Sequence, residues 1–209
     1  MALRLTNDFA SEFLGFKVLN PMIMGILLGF IFGRHLENEK KLYQMALHDN
    51  LSGLYNRHGF STLMDNVFLD STKPISISII TFDIDDFKSI NDIYGHDSGD
   101  NAITLIGSIL KKNTRSIDIS ARLGGDEFVV ALPRTSHNDA MNVAHKLNTA
   151  ISSSKLMSST GVKIPITVSI GVATSESKVT NKSLLLKASD NQLFKSKRSG
   201  KNTVFGELM

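Results

Sequence analysis

The chain has 209 residues, enough for one domain of ordinary size plus an extension. It contains no cysteine, which excludes a disulfide framework and a thiolate zinc site. Its formal net charge of only +3 gives no global sign of nucleic-acid binding, and nucleic acid is not expected among its partners.

An almost uncharged stretch occupies residues 13–33, with Lys17 as its one ionised residue. At about 1.5 Å per residue it would reach about 30 Å, the thickness of a bilayer core. Residues 1–33 are therefore predicted to be an apolar segment with a single transmembrane helix. The basic residues within 34–41 would keep the following domain in the cytoplasm, at the inner membrane. Because Pro21 shortens the clean run, a buried helix of a cytoplasmic protein is the alternative.

Residues 34–48 are predicted to form a connecting helix, and residues 49–209 the main domain. The pattern predicts, in chain order, a helix over 56–69, a strand over 75–82, a helix over 99–113, a hairpin over 119–132, a helix over 138–153, a strand over 164–173 and a helix over 183–199. Residues 152–161 are predicted to be a surface loop or a frayed helix end. This mixture predicts an α+β fold, an α/β sandwich with a mainly antiparallel central sheet flanked by helices.

Two adjacent carboxylates, Asp126 and Glu127, follow the pair Gly124-Gly125 between two apolar runs. This pattern predicts a β-hairpin with the acids at or beside its tip. Adjacent acids repel each other unless they share a cation, so the pattern indicates a divalent-metal site that handles phosphates. Asp83 ends an upstream strand, and acids on neighbouring strands are typical of two-metal nucleotidyl-transfer sites.

Six motifs follow one another in an order that resembles the GGDEF family of diguanylate cyclases, which condense two GTP into cyclic di-GMP. They are, in chain order, Asp49–Arg57, Asp83–Lys88, Asn91–Asp100, Gly124–Phe128, Thr167–Ala173 and Asp190–Asn202. The resemblance runs from about residue 49 to residue 206. It implies a palm-like nucleotidyl cyclase fold and an Mg²⁺-dependent reaction, with Mn²⁺ as an alternative ion.

The resemblance assigns the metal to Asp83, to the backbone carbonyl of Ile84 and to Glu127. It carries over Asp126 either as a further ligand or as the base for the 3′-hydroxyl of GTP. The sequence leaves that choice open, and substrate or water is the alternative proton acceptor. Asp126 and Glu127 are thus the expected catalytic residues. For the acid pair taken alone, a solvated acidic turn is the alternative.

The substrate residues implied by the resemblance divide between phosphate and base. Guanine presents N1–H and 2-amino donors that one carboxylate can accept together, so Asp100 predicts GTP rather than ATP. Lys197 and Lys201 stand four apart and are expected to meet the triphosphate from the end of the last predicted helix. Backbone N–H groups at the start of an earlier helix would cradle phosphate. The full expected set is Asp86, Phe87, Lys88, Asn91, His96, Asp100, Lys197 and Lys201.

Regulation and assembly are also implied. Arg115 and Asp118 stand at the spacing of the family's R-x-x-D product-inhibition site, so cyclic di-GMP is expected as both product and inhibitor. The reaction joins two GTP molecules, which predicts a homodimer with one GTP per subunit. Gly25, Gly29 and Gly33 recur every four residues and favour pairing of membrane helices. The alternative function is a catalytically silent GGDEF domain that binds GTP or cyclic di-GMP as a signalling module.

Overall fold

The computed structural model describes residues 21, 23–37, 39–40, 43, 45–69, 76–176 and 182–209. The chain divides into two compact units, with the boundary after residue 44. In the first unit, residues 23–37 are helical, and large apolar side chains such as Ile26 and Phe30 are exposed. Among the described residues, no helix combines the length and apolarity needed to cross a membrane. Residues 1–20 and 22 of the predicted membrane segment lie outside the described residues.

The second unit contains the predicted domain. Its helices are α1 (Arg57–Leu69), α2 (Phe87–Tyr94), α3 (His96–Asn113), α4 (His137–Ser152) and α5 (Lys182–Arg198). Its strands are β1 (Ile77–Ile84), β2 (Ile119–Gly124), β3 (Glu127–Pro133), β4 (Leu156–Met157), β5 (Lys163–Ile164), β6 (Val168–Ser175) and β7 (Val204–Leu208).

Five strands form one sheet in the order β2-β3-β1-β6-β7. β1 pairs antiparallel with both β3 and β6, and β2 pairs antiparallel with β3. β7 runs parallel to β6, so the sheet is mixed. The short strands β4 and β5 pair separately. The predicted α+β fold, with a mainly antiparallel sheet flanked by helices, is confirmed.

The sheet is covered by helices on both faces, which is why all eight residues of β1 are buried. Ile80 and Phe82 join an apolar cluster that includes residues of α3 and α4. Ile77 and Ile79 join a second cluster with residues of α1 and α5. Side chains alternate between faces along a strand, so Asp83 lies on the face that α1 and α5 cover.

The predicted hairpin is confirmed as β2 and β3, and Gly125 adopts the left-handed conformation at its turn (φ 52°). Other predictions were incomplete. β1 extends to Ile84 because Asp83 and Ile84 pair with β6. The helix α2 was implied only by the phosphate-binding N–H groups expected at its start, and the parallel strand β7 was not predicted. The predicted surface loop over 152–161 contains β4, which buries Leu156.

The segment before α1 attaches along the outer side of β2. The Tyr55 N–H donates to the carbonyl of Ser120 (3.1 Å), and the Arg122 N–H donates to the carbonyl of Tyr55 (2.8 Å). The Asp49 carboxylate accepts from the backbone N–H and hydroxyl of Ser52 and from the Arg122 guanidinium. Asp49 thus ties the segment before α1, residues 45–56, to the hairpin of β2 and β3. We call this segment the entry segment.

Replacing Asp49 by asparagine is expected to lower the free energy of unfolding by about 1–3 kcal/mol at pH 7. Burial raises the pKa of Asp49, but the Ser52 and Arg122 hydrogen bonds outweigh it, so the pKa is lowered from 3.8. A carboxyl whose pKa is lowered by folding stabilises the fold when the pH is above its pKa in the unfolded chain. This contribution is lost as the pH falls through the pKa of the folded protein. Urea unfolding at neutral and acidic pH measures it.

The difference between wild type and Asp49→Asn should therefore shrink under acid. The matched control is Asp92→Asn, which changes an exposed aspartate on α2. An equal loss of unfolding free energy at both pH values would contradict the electrostatic account. An equal loss of unfolding free energy in Asp92→Asn would also contradict it.

Candidate active site

The two acids first assigned to a metal lie side by side. Asp83 on β1 stands directly opposite Glu127 on β3, so both side chains project from the same face of the sheet. Directly opposed residues place their Cβ atoms about 5 Å apart. Asp83 is 9% exposed, whereas Glu127 is exposed at the mouth of the hairpin. The pair combines one sheltered and one accessible carboxylate.

Asp83 carries a charge that the fold disfavours. Burial raises its pKa, and the negative charges of Asp126 and Glu127 raise it further. Lys197, from α5, opposes this effect, because its Nζ lies 2.9 Å from Asp83 Oδ2. The lysine thus supplies the positive charge that this acidic face requires.

Asp126 occupies the turn before Glu127, and its backbone carbonyl accepts the N–H of Ile84 at 3.4 Å. This bond holds the last residue of β1 against the hairpin tip. Within the described residues, no group of three His, Cys, Asp or Glu side chains converges on a common metal position. The donor set that the fold brings together is therefore a pair, Asp83 and Glu127. Asp126 adds its charge to this pair.

The two acids that follow β1, Asp85 and Asp86, differ in their surroundings. Asp85 is buried and accepts hydrogen bonds from the hydroxyls of Thr167 (2.7 Å) and Ser169 (2.6 Å) and from the Asn202 N–H (3.0 Å). It anchors the loops around β6 through these three hydrogen bonds. Asp86 takes a left-handed conformation (φ 52°) before α2 and makes no side-chain cap.

Of the two lysines expected near the end of the last helix, only Lys197 lies on it. α5 ends at Arg198, and Lys201 follows in a left-handed conformation (φ 64°) because the chain turns toward β7. Lys201 Nζ lies 2.6 Å from Asp86 Oδ1, while Lys197 contacts Asp83. The two cations thus contact the acids at the two ends of the β1–α2 connection, and Phe87 and Lys88 begin α2.

The residues expected to read the base lie on the adjacent helices α2 and α3. Gly99 on α3 packs so closely on α2 that an added Cβ would overlap the side-chain oxygen of Asn91. Asp100 follows Gly99 and is exposed, and His96 is exposed at the start of α3. The residues expected to read the base thus lie on two closely packed helices, and the Asp100 side chain is exposed.

Comparison with known proteins identifies the family of this chain. Residues 46–203 match the domain family described as "Diguanylate cyclase, GGDEF domain". The chain belongs to the GGDEF domain family. It is 36% identical over 171 residues to Diguanylate cyclase A of Treponema denticola. It is also 36% identical over 168 residues to the response regulator PleD of Caulobacter vibrioides.

These matches cover 80% and 78% of this chain, but only 46% of the Treponema protein and 37% of PleD. The chain thus spans less than half the length of these curated relatives. Among solved structures, the coiled coil and GGDEF domain of DgcB from Caulobacter crescentus, in complex with c-di-GMP, is similar with a TM-score of 0.81. That match has 27% identity and covers 86% of this chain and 95% of the other.

This GGDEF domain has a second set of candidate functional residues at the end of the hairpin opposite its turn, before β2 and after β3. The guanidinium of Arg115 donates to Asp118 through Nε (3.1 Å) and Nη2 (2.8 Å), and Nη2 also donates to the Thr135 hydroxyl (2.7 Å). The hydrogen bonds to Asp118 raise the pKa of Arg115. A cavity of about 430 Å³ adjoins this pair. The fold thus brings Arg115 and Asp118 together as a contacting pair beside this cavity.

Asp190, on α5, belongs to the last of the six motifs but was not predicted as a site residue. The structure places it beside Glu127, one of the predicted metal-binding acids. With Arg57, Glu127 and Lys197 it lines a cavity of about 370 Å³. Neighbouring atoms displace part of its water shell, which raises the pKa of Asp190, and the charge of Glu127 adds to this effect while the Thr81 hydroxyl opposes it. Its position, seven residues before Lys197 on the same helix, is the sequence signal that would have found it.

Proposed function

We propose that this protein is a diguanylate cyclase that converts two GTP into cyclic di-GMP and two pyrophosphates. The observation that carries the proposal is the pair Asp83 and Glu127, opposed across β1 and β3 beside Lys197. The family membership supports it, as do relatives named diguanylate cyclases that align with most of this chain.

Asp83 and Glu127 would hold the divalent cation, Mg²⁺ or Mn²⁺. When bound, such an ion draws negative charge from the triphosphate and makes the α-phosphorus more electrophilic. The fit rests on the donors: Mg²⁺ is usually held by one or two carboxylates together with substrate phosphates, and this site offers two hard oxygen donors. Burial, together with the negative charges of Asp126 and Glu127, raises the pKa of Asp83 even with Lys197 beside it, so this acidic face would favour a bound cation. Asp126 stands beside the pair as a further ligand or as the proton acceptor.

The remaining residues would bind and orient GTP. Lys197 and Lys201 contact the acids at the two ends of the β1–α2 connection, where they would neutralise phosphate oxygens. Asp100 would accept the two guanine donors, with Asn91 and His96 beside it. Backbone N–H groups of residues 86–88, at the start of α2, would donate to phosphate.

Assembly is part of the proposal. Each subunit would hold one GTP and present its 3′-hydroxyl to the α-phosphorus of the other, so the active form would be a homodimer. We also propose that the N-terminal segment anchors the protein at the inner membrane. Membrane fractionation of the full chain tests the anchor, and the dependence of specific activity on protein concentration tests the dimer.

The deciding experiment incubates the full chain with GTP and Mg²⁺ and identifies the products by mass spectrometry. Cyclic di-GMP and pyrophosphate are expected, with no product when ATP replaces GTP or when a chelator removes the metal. GTP that remains intact over long incubation, at protein concentrations that permit dimers, would overturn the proposal.

The second candidate is a silent module that binds cyclic di-GMP. It is favoured by one observation: the cavity beside Arg115 and Asp118 shares no residue with the cavity beside Glu127. Binding there would not require catalysis. Cyclic di-GMP binding by a protein that makes no product would select this reading.

If the protein is an active cyclase, Arg115→Ala is expected to raise the cyclic di-GMP concentration needed for half-maximal inhibition by about tenfold or more. Loss of the guanidinium removes a charged donor and a flat surface for guanine. The measurement is the initial rate of pyrophosphate release at increasing product concentration. Arg134→Ala, which changes an arginine outside this cavity, is the control. Inhibition of Arg115→Ala at wild-type concentrations would contradict the assignment.

A further inference from the structure

The cavity beside Arg115 has a charge problem that the R-x-x-D pair does not solve. Arg115 and Asp118 form a close ion pair, so together they contribute no net charge to the cavity. Cyclic di-GMP, the ligand expected there, carries two phosphodiester anions. Among the charged residues that line the cavity, Lys111 is the cation that no neighbouring carboxylate in the lining neutralises.

Lys111 is placed to act on that cavity. It lies in the last turn of α3, one helical turn before Arg115. Its ammonium lies over Gly53, because a Cβ added to that glycine would stand only 2.5 Å from Lys111 Nζ. Gly53 adopts a left-handed conformation (φ 64°) that favours glycine, and the missing side chain leaves room for the ammonium. The lysine therefore folds back against the entry segment that forms another wall of the cavity.

An ordinary role is available for Lys111 at the end of a helix. Cations there interact favourably with the helix dipole, and Lys112 in the same turn shares that role. Lys112 does not line the cavity. The two neighbouring lysines thus differ in the feature that matters, which is access to the ligand.

We infer that Lys111 is a phosphate-binding residue of the cavity beside Arg115 and gives it preference for a dianionic purine dinucleotide. This inference rests on the proposed cyclic di-GMP site. Arg115 and Asp118 present donors and an acceptor to a guanine, while Lys111 supplies the net positive charge that attracts phosphate. His48 and Tyr55, whose rings lie 4.5 Å apart, add an aromatic wall to the same cavity.

Calorimetric titration of the full chain with cyclic di-GMP tests this role. Lys111→Gln should weaken binding by about tenfold or more, the effect of losing one charge-assisted contact. Lys112→Gln should stay within about twofold of wild type, because the helix-dipole contribution of one exposed lysine is small. Lys111→Arg should restore most of the affinity. Raising the salt concentration should weaken wild type more than Lys111→Gln, because charge attraction is screened.

The outcomes separate this inference from the function on which it rests. If wild type binds cyclic di-GMP and both glutamine variants bind equally well, Lys111 has no role in binding. Equal weakening in both variants would reduce the effect to the helix end and would also overturn the inference. If wild type itself binds no cyclic di-GMP, the inhibitory site fails together with Lys111, whatever the outcome of the GTP turnover assay.

Discussion

Asp83→Ala is expected to lower the rate of cyclic di-GMP formation by about a thousandfold or more, equivalent to about 4 kcal/mol of transition-state stabilisation. Glu127→Ala should do the same, because the two carboxylates are opposed on one face and act as one donor set. The effects of the two changes should not add, since residues that act as a unit lose their joint function when either is removed.

The fold should survive the loss of Asp83. Burial and the neighbouring acids raise the pKa of Asp83, so the folded state disfavours its charged form at neutral pH. Removing that carboxylate should therefore leave the melting temperature unchanged or higher, measured without added metal. Asp65→Ala is the matched control, because it breaks an exposed ion pair with Lys182 far from the acids in sequence. Product formation by Asp83→Ala within about tenfold of wild type, a cost of only about 1.4 kcal/mol, would refute the metal assignment.

Replacing Asp100 by alanine is expected to lower kcat/KM for GTP by about 5–150-fold, because leaving hydrogen-bonding groups of the substrate unpaired costs about 1–3 kcal/mol. The sharper readout compares GTP with inosine triphosphate, which lacks the 2-amino group. Wild type should prefer GTP, and Asp100→Ala should lose that preference, because the carboxylate that accepts the amino group is gone.

Asp97→Ala supplies the control, since Asp97 is an exposed acid in the first turn of the same helix. It should retain the wild-type preference for GTP over inosine triphosphate. If Asp100→Ala discriminates between the two nucleotides as strongly as wild type does, guanine is read by other residues.

Local patterns were sufficient for much of the fold. The Gly-Gly turn between apolar runs predicted β2 and β3, and the β-branched run predicted β1, because both signals lie within a few residues of the elements. β7 was missed because its pairing with β6 is parallel and is made only after the chain crosses over through α5, an arrangement that no local pattern contains. The short strand β4 was missed because a serine-rich stretch favours a loop, yet Leu156 is buried.

The site shows the same division. The acids Asp83, Asp126 and Glu127 could be identified from the sequence because each stands next to the end of a predicted strand. The contact between Lys197 and Asp83 required the packing of α5 against β1, which no local pattern contains. The direction in which Lys201 points could not be read from its four-residue spacing to Lys197, because left-handed residues after Arg198 redirect the chain. Lys111 gave no signal at all, because only the fold brings it over Gly53.

The attachment of the entry segment to β2 has a practical consequence for colloidal behaviour. β2 stands at the end of the sheet, where unpaired backbone groups can recruit strands of other molecules. Tyr55 occupies part of that border through its two backbone hydrogen bonds, and Asp49 holds the segment in place. A shortened version that begins after residue 56 would uncover this border and should self-associate into aggregates. One that begins at Met45 would keep the border shielded.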